Sequence, residues 1–196
     1  MTLQAPLGQH RQHPIHPPSH AGILDSRIRW YLYRPDKLAE QYIRPGERVL
    51  DFGCGPGFFT REFAKRVGEK GQVISVDLQP EMLSFLKEKM ENEGLLSRIR
   101  MHQCLPDSLN LSPELDGKVD AAFALFVVHE VPDPDKLFRE IAALLRPGGI
   151  FFFSEPVIVV NHREIREQIA RAERAGLHLE RERWYFLNRS AVFRKA

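Results

Sequence analysis

The stretch Val49-Leu50-Asp51-Phe52-Gly53-Cys54-Gly55-Pro56-Gly57-Phe58-Phe59-Thr60 has the residue types of a ligand cradle. An acid closes an apolar run, glycines then alternate, and a helical pattern follows. Alternating glycines permit a tight turn and let a ligand touch main chain where a β-carbon would obstruct it. At the carboxyl end of a strand in an open parallel sheet, such a turn is where ligands bind. The spacing narrows the ligand. A dinucleotide fingerprint counted from Gly53 needs glycine at position 58, where Phe58 stands. No Gly-Lys-Ser/Thr ending follows either. A ligand without phosphates at this turn fits the bulky Phe58 and Phe59. Asp51 is placed to face an amino group, directly or through water, or to bond the amides of the glycine turn.

A second acid, Asp77, ends the strand-like Gln72–Asp77 (QVISVD), 24 residues after Gly53. An acid near this distance can accept hydrogen bonds from both hydroxyls of a ribose, or cap the following helix. Leu78 can then lie against the face of an adenine. His129 and Glu130 follow the apolar run Val119–Val128. A histidine there can act as a base when the reacting nucleophile carries a proton, or simply be a polar loop residue.

The elements that must position these residues alternate strand and helix after Pro45-Gly46. Strands are expected over Glu47–Asp51, Gln72–Asp77, Arg98–Gln103, Val119–Val128 and Ile150–Ser154. Four of these are apolar nearly throughout, the mark of a parallel sheet buried between two helical layers. Helices are expected over Gly57–Val67, with Phe59, Phe63 and Val67 on one face, and over Pro80–Glu91, with Met82, Leu86 and Met90 on one face. Asp133 before Pro134 caps a helix that stops at Arg146-Pro147-Gly148-Gly149. Asn161 with Glu164 reads as a capping box for a last helix ending near Gly176. Leu177–Phe186 and Ser190–Arg194 can pair across Leu187-Asn188-Arg189 as a closing antiparallel hairpin.

Together these residues resemble motif I of class I S-adenosylmethionine-dependent methyltransferases, whose pattern is acid-x-Gly-x-Gly-x-Gly. The resemblance runs on through VISVD and through DAAFALFVVHEVPDPDKLFREIAALLRPGGIFFFSEP (Asp120–Pro156). It covers residues 25–196 and is similar to the group containing ubiquinone and menaquinone C-methyltransferases. It implies an α/β, Rossmann-like three-layer sandwich with a seven-stranded, mostly parallel sheet in the order 3-2-1-4-5-7-6, strand seven antiparallel. It implies S-adenosyl-L-methionine as cofactor and methyl transfer by direct displacement, with no metal required. Carried over by position, Gly53, Gly55 and Gly57 approach the methionine half, Asp77 holds the ribose, and Leu125 and Phe126 flank the sulfonium. One departure stands out. Many relatives hold an acid in the loop after strand three that binds the adenine amino group, and here the loop reads Gln103-Cys104-Leu105-Pro106-Asp107. Either Asp107 substitutes, or backbone near Leu105 does the work.

The rest of the chain bounds the partners. Hydrophobic residues at 43% and charged residues at 28% describe an ordinary globular domain, and a net charge of +2 is too small to argue for nucleic acid. Apolar runs stop at about ten residues, against the roughly 20 that a membrane-spanning helix needs. No signal peptide is visible, and two cysteines are too few for a disulfide framework, so a cytoplasmic location is expected. Residues 1–22 read as a flexible His/Pro-rich tail, and prolines among its histidines keep a helix from presenting them to a metal. Residues 23–196 are expected to form one domain. Within it, residues 23–45, around Trp30, Tyr31 and Tyr33, either form a lid over the cleft or pack a first helix on the sheet. The Asn/Asp-Pro-Pro-aromatic signature of base and glutamine methylation is missing after strand four, where Phe126-Val127-Val128-His129 stands. A small-molecule methyl acceptor is therefore expected, with protein, RNA or a non-catalytic binding role as the alternatives.

Overall fold

The computed structural model describes residues 27–196, with side chains from Trp30 onward. Residues 1–22, read above as a tail, and the first residues of the 23–45 segment lie outside the described residues. Helices α1 (Arg27–Tyr33) and α2 (Pro35–Tyr42) precede strand β1 (Arg48–Phe52). Then follow α3 (Thr60–Val67), β2 (Gln72–Asp77), α4 (Pro80–Asn92), β3 (Ile99–Gln103) and β4 (Val119–Leu125). The chain closes with α5 (Pro134–Leu144), β5 (Leu145–Pro156), α6 (His162–Arg174), β6 (Leu177–Tyr185) and β7 (Asn188–Lys195).

The strands form one seven-stranded sheet in the order β3-β2-β1-β4-β5-β7-β6. Strands β1 to β5 run parallel, and β7 is antiparallel to both β5 and β6. This is the topology the resemblance implies. Successive strand residues point to opposite faces, which divides the core in two. Leu50, Ile74, Ala122, Phe151 and Phe153 pack against α5 and α6 through Leu137, Phe138, Ile141, Ile165 and Ile169. Val49, Val73, Phe123 and Phe152 pack against α2, α3 and α4 through Leu38, Tyr42, Phe63, Val67, Leu86 and Met90. Burying a large apolar side chain is worth about 1.5–3 kcal/mol, and seven phenylalanines here are almost wholly out of solvent.

The expected helix caps form. Asp133 accepts a hydrogen bond from the Lys136 N–H at 2.9 Å, and Asn161 and Glu164 form the full capping box. Several boundaries differ. The helix expected from Gly57 starts only at Thr60, because Gly57 has φ +87°, a left-handed value that no α-helix contains. Strand β4 ends at Leu125, not Val128, because Phe126 turns the chain at φ +65°. The helix expected to reach Arg146 gives way at Leu145 to a 12-residue β5, whose outer half is drawn out by β7 pairing up to Pro156↔Asn188. That pairing also shortens the closing turn to Phe186-Leu187.

Candidate ligand-binding cleft

The carboxyl ends of β1, β2, β4 and β5 open into a cleft of about 830 Å³. Its floor is the turn after β1. Gly53 and Gly55 line it, whereas Asp51 and Gly57 lie behind. Gly55 has φ +53°, and a β-carbon built on it meets nothing within 4 Å, so its bare face looks into open space. At Gly57 a β-carbon would sit 2.3 Å from Leu86 Cδ1, so that glycine serves the approach of α4 to the turn. Asp51 accepts a 2.6 Å hydrogen bond from the Thr60 hydroxyl and is buried. Burial pushes its carboxyl up to about 7, with the Thr60 bond opposing. It fixes the start of α3 to the end of β1.

Asp77 stands on the adjoining wall. Its Oδ2 accepts from the Gly55 N–H at 2.8 Å, and its Oδ1 from the Gln79 N–H at 3.0 Å. Burial raises its pKa, and these backbone donors hold the rise in check. A carboxylate has about four lone-pair sites, so two backbone bonds leave capacity for a ligand's hydroxyls. Leu78 and Leu105 line the cleft beyond it, and Leu125 and Phe126 line it on the β4 side. The structure thus brings seven of the expected residues onto one surface: Gly53, Gly55, Asp77, Leu78, Leu105, Leu125 and Phe126.

Phe126 keeps its left-handed turn because its N–H donates to Ser154 O at 2.8 Å and its ring meets Tyr33 at 5.3 Å. Such a backbone costs a bulky residue about 1–2 kcal/mol. Tyr33, at the end of α1, also touches the rings of Tyr185 and Phe186, and its carbonyl accepts from the Tyr185 hydroxyl. Residues of α1 therefore reach the mouth of the cleft.

His129 is placed differently. It is buried in the short 3-10 turn Val128–Glu130, and it is not on the cleft wall. Its Nδ1 bonds the buried Glu155 carboxylate, which also accepts from the Val128 N–H at 2.8 Å. Burial lowers the His129 pKa, and bonding to Glu155 overrides this and leaves it raised. Glu130, whose Oε1 lies 3.9 Å from His129 Nε2, does line the cleft.

Two acids of this region were not foreseen. Glu155 ends a strand inside an apolar run and gives no local signal. Glu140 sits in mid-α5, yet its carboxylate reaches the loop after β3, accepting from Ser108 Oγ at 2.8 Å and the Leu109 N–H at 2.6 Å. Asp107, offered above as a substitute acid, is tied to Lys136 Nζ at 3.3 Å.

A sheet in this strand order, with a glycine turn at β1 and an acid at the tip of β2, defines a Rossmann-like methyltransferase domain. The family model described as "Methyltransferase domain" matches residues 43–189, and the chain belongs to that family. The curated relatives it resembles include the ubiquinone/menaquinone biosynthesis C-methyltransferase UbiE of Vibrio cholerae, 35% identical over 118 residues, 59% of this chain and 44% of that protein. The corresponding protein of Vibrio vulnificus is 37% identical over 117 residues, 58% of this chain and 44% of that protein. The chain thus spans less than half the length of the curated relatives it matches. A crystal structure of a SAM-dependent methyltransferase from Aquifex aeolicus superposes with a TM-score of 0.83 at 26% identity, covering 93% of this chain and all of that one. Among the described residues, no helix is long and apolar enough to cross a membrane.

Proposed function

We propose that this chain is an S-adenosyl-L-methionine-dependent methyltransferase acting on a small-molecule acceptor. The observation that carries it is the pairing of a bare Gly55 face with the Asp77 carboxylate on one cleft wall. The residues suit an adenosyl ligand. Asp77 offers lone pairs for ribose hydroxyls, Leu78 and Leu105 offer apolar faces for the base, and Gly53 and Gly55 offer main chain to the amino-acid part. Asp51 and Gly57 act one layer back, by fixing the turn that these groups share. The sulfonium supplies a methyl group already activated for displacement, so alignment and exclusion of water are the protein's main contributions.

Leu125 and Phe126 form the apolar wall beside the reacting centre, and Phe126 is held there by its Ser154 bond and by Tyr33. We read α1 as part of a lid, since Tyr33 lines the cleft and rests on the β6–β7 hairpin. His129 suits holding the turn at Val128–Glu130 better than taking a proton, because its ring faces Glu155. Glu130 is the acid of that turn that faces the cleft.

A small acceptor is favoured by the chemistry of the last helix. Arg163 pairs with Glu167, Arg166 with Glu182, and Arg171 and Arg174 share Asp135, so acids interleave with this arginine row and it is not the bare basic stripe that a nucleic acid needs. The relatives' names, ubiquinone/menaquinone biosynthesis C-methyltransferase, point to a carbon acceptor as a first class to try. Cys54 and Cys104 are free thiols, which supports a cytoplasmic setting.

Calorimetry with S-adenosylhomocysteine tests the binding half of this reading, and a panel of small phenols, amines and thiols with labelled S-adenosylmethionine tests transfer. Absence of S-adenosylhomocysteine binding overturns the assignment. Tight binding with no product from any acceptor leaves a non-catalytic binding protein.

A further inference from the structure

Resting on the adenosyl reading of the cleft, we infer that Glu140 of α5 is a positioning residue that sets base selectivity by clamping the loop after β3. The loop Cys104–Leu109 forms one end of the cleft. It leaves β3 with the Cys104 N–H bonded to Asp77 O at 3.0 Å, so it begins beside the carboxylate that would hold the ribose. It then folds into a tight turn in which the Leu105 N–H bonds Ser108 O at 2.9 Å. A base attached to a sugar held at Asp77 would lie between Leu78 and this turn. At its far side the turn has only a long return bond from the Ser108 N–H to Leu105 O, 3.4 Å, and a local bond from the Asn110 N–H to Ser108 Oγ, 3.0 Å, neither of which ties it to another element. Glu140 makes that tie from α5, one oxygen on the Ser108 hydroxyl and the other on the Leu109 N–H.

The clamp is two-pronged and charge-assisted, which makes it short, directional and about twice as strong as neutral bonds. It is reinforced one helical turn earlier, where Lys136 meets Asp107. His102 Nε2 and Leu109 O lie 3.0 Å apart, which ties the loop's exit back to β3. With both ends held, and with Leu105 O and Ser108 O taken up by each other's N–H across the turn, the remaining carbonyls of Cys104, Pro106 and Asp107 would form a rigid acceptor edge. Such an edge accepts from an exocyclic amine and repels a carbonyl in the same place. A rigid edge discriminates where a mobile one adapts, because a mobile loop can turn a donor toward the carbonyl. Glu140 also lines the cleft itself, so its charge is not spent on a remote surface.

The test compares S-adenosylhomocysteine with its inosyl analogue, in which the base amine is a carbonyl, by calorimetry on the full chain. The native protein should prefer the adenosyl compound by at least about tenfold. Glu140→Gln keeps the shape but removes the charge, leaving an amide oxygen for the Leu109 N–H and an NH2 that must donate to Ser108 Oγ, so both prongs fall to neutral strength. It should weaken adenosyl binding about tenfold while barely moving inosyl binding, so that the preference collapses. Ser108→Ala removes one prong and should give a smaller loss of the same kind. Thermal melts of both variants check folding. An unchanged preference in Glu140→Gln, or equal weakening of both ligands, would overturn the inference. If the native chain binds neither compound, the adenosyl reading of the cleft has failed, and this inference fails with it.

Discussion

Gly55 and Asp77, 22 residues apart in the chain, are joined by a 2.8 Å hydrogen bond from the Gly55 N–H to Asp77 Oδ2. The bond locks the β1 turn to the tip of β2, so the main-chain face and the carboxylate of the cleft hold a fixed relation. Asp77→Ala removes both this lock and the ligand's acceptor. We expect S-adenosylhomocysteine affinity to fall by at least about tenfold, roughly 1.4 kcal/mol, by isothermal titration. Unaltered affinity would remove Asp77 from the site.

Gly55 and Gly57 separate binding from stability. Both have positive φ, so alanine at either is strained by about 1–2 kcal/mol. Only at Gly57 does the new methyl also collide, with Leu86, which adds an overpacking cost of about 1–3 kcal/mol. Gly57→Ala should therefore lower the thermal midpoint the more, while Gly55→Ala should lose ligand affinity the more. Paired melts and titrations check the crossed pattern.

Asp51 gives a pH dependence with an unusual sign. Its folded pKa, about 7, is above its unfolded value of 3.8. The folded state therefore binds its proton more tightly, and the stability this contributes is fully present below pH 3.8. It is lost as pH rises through about 7. The loss amounts to at most about 4 kcal/mol in the ligand-free protein. Asp51→Asn, which can still accept from Thr60, should remove this part of the slope and be the more stable form at pH 8. Denaturant melts at pH 5 and pH 8 decide it. A variant less stable than the native chain at both would contradict the buried-carboxyl account.

The His129–Glu155 pair should behave as structure first. Glu155→Ala leaves the Val128 N–H without its buried acceptor and the imidazole without its carboxylate, at a cost of about 3–5 kcal/mol. His129→Ala should likewise lower the thermal midpoint. Once an acceptor is found, a base role instead demands that His129→Ala keep its midpoint and lose the acidic limb of the pH–rate profile.

The glycine spacing at 53–57, the acid at position 77, and the run of apolar strands were enough to place the ligand turn and a parallel sheet between helical layers, because each is a local requirement, whereas the strand order came only with the family resemblance that these residues carry. A turn that a ligand touches must lack side chains, and a strand buried on both faces must be apolar. Local pattern also exposed the caps at Asp133 and Asn161, whose partners lie within three residues. What only the tertiary structure decided was which way side chains face where the chain bends. His129 and Glu130 are neighbours in sequence, yet the turn after Phe126 sends one to Glu155 and the other to the cleft. Gly55 and Gly57 look alike in the motif, and only the approach of α4 distinguishes them. Glu140 reaches Ser108 across 32 residues of chain. No period or spacing marks such contacts, because they depend on how whole elements are laid against one another.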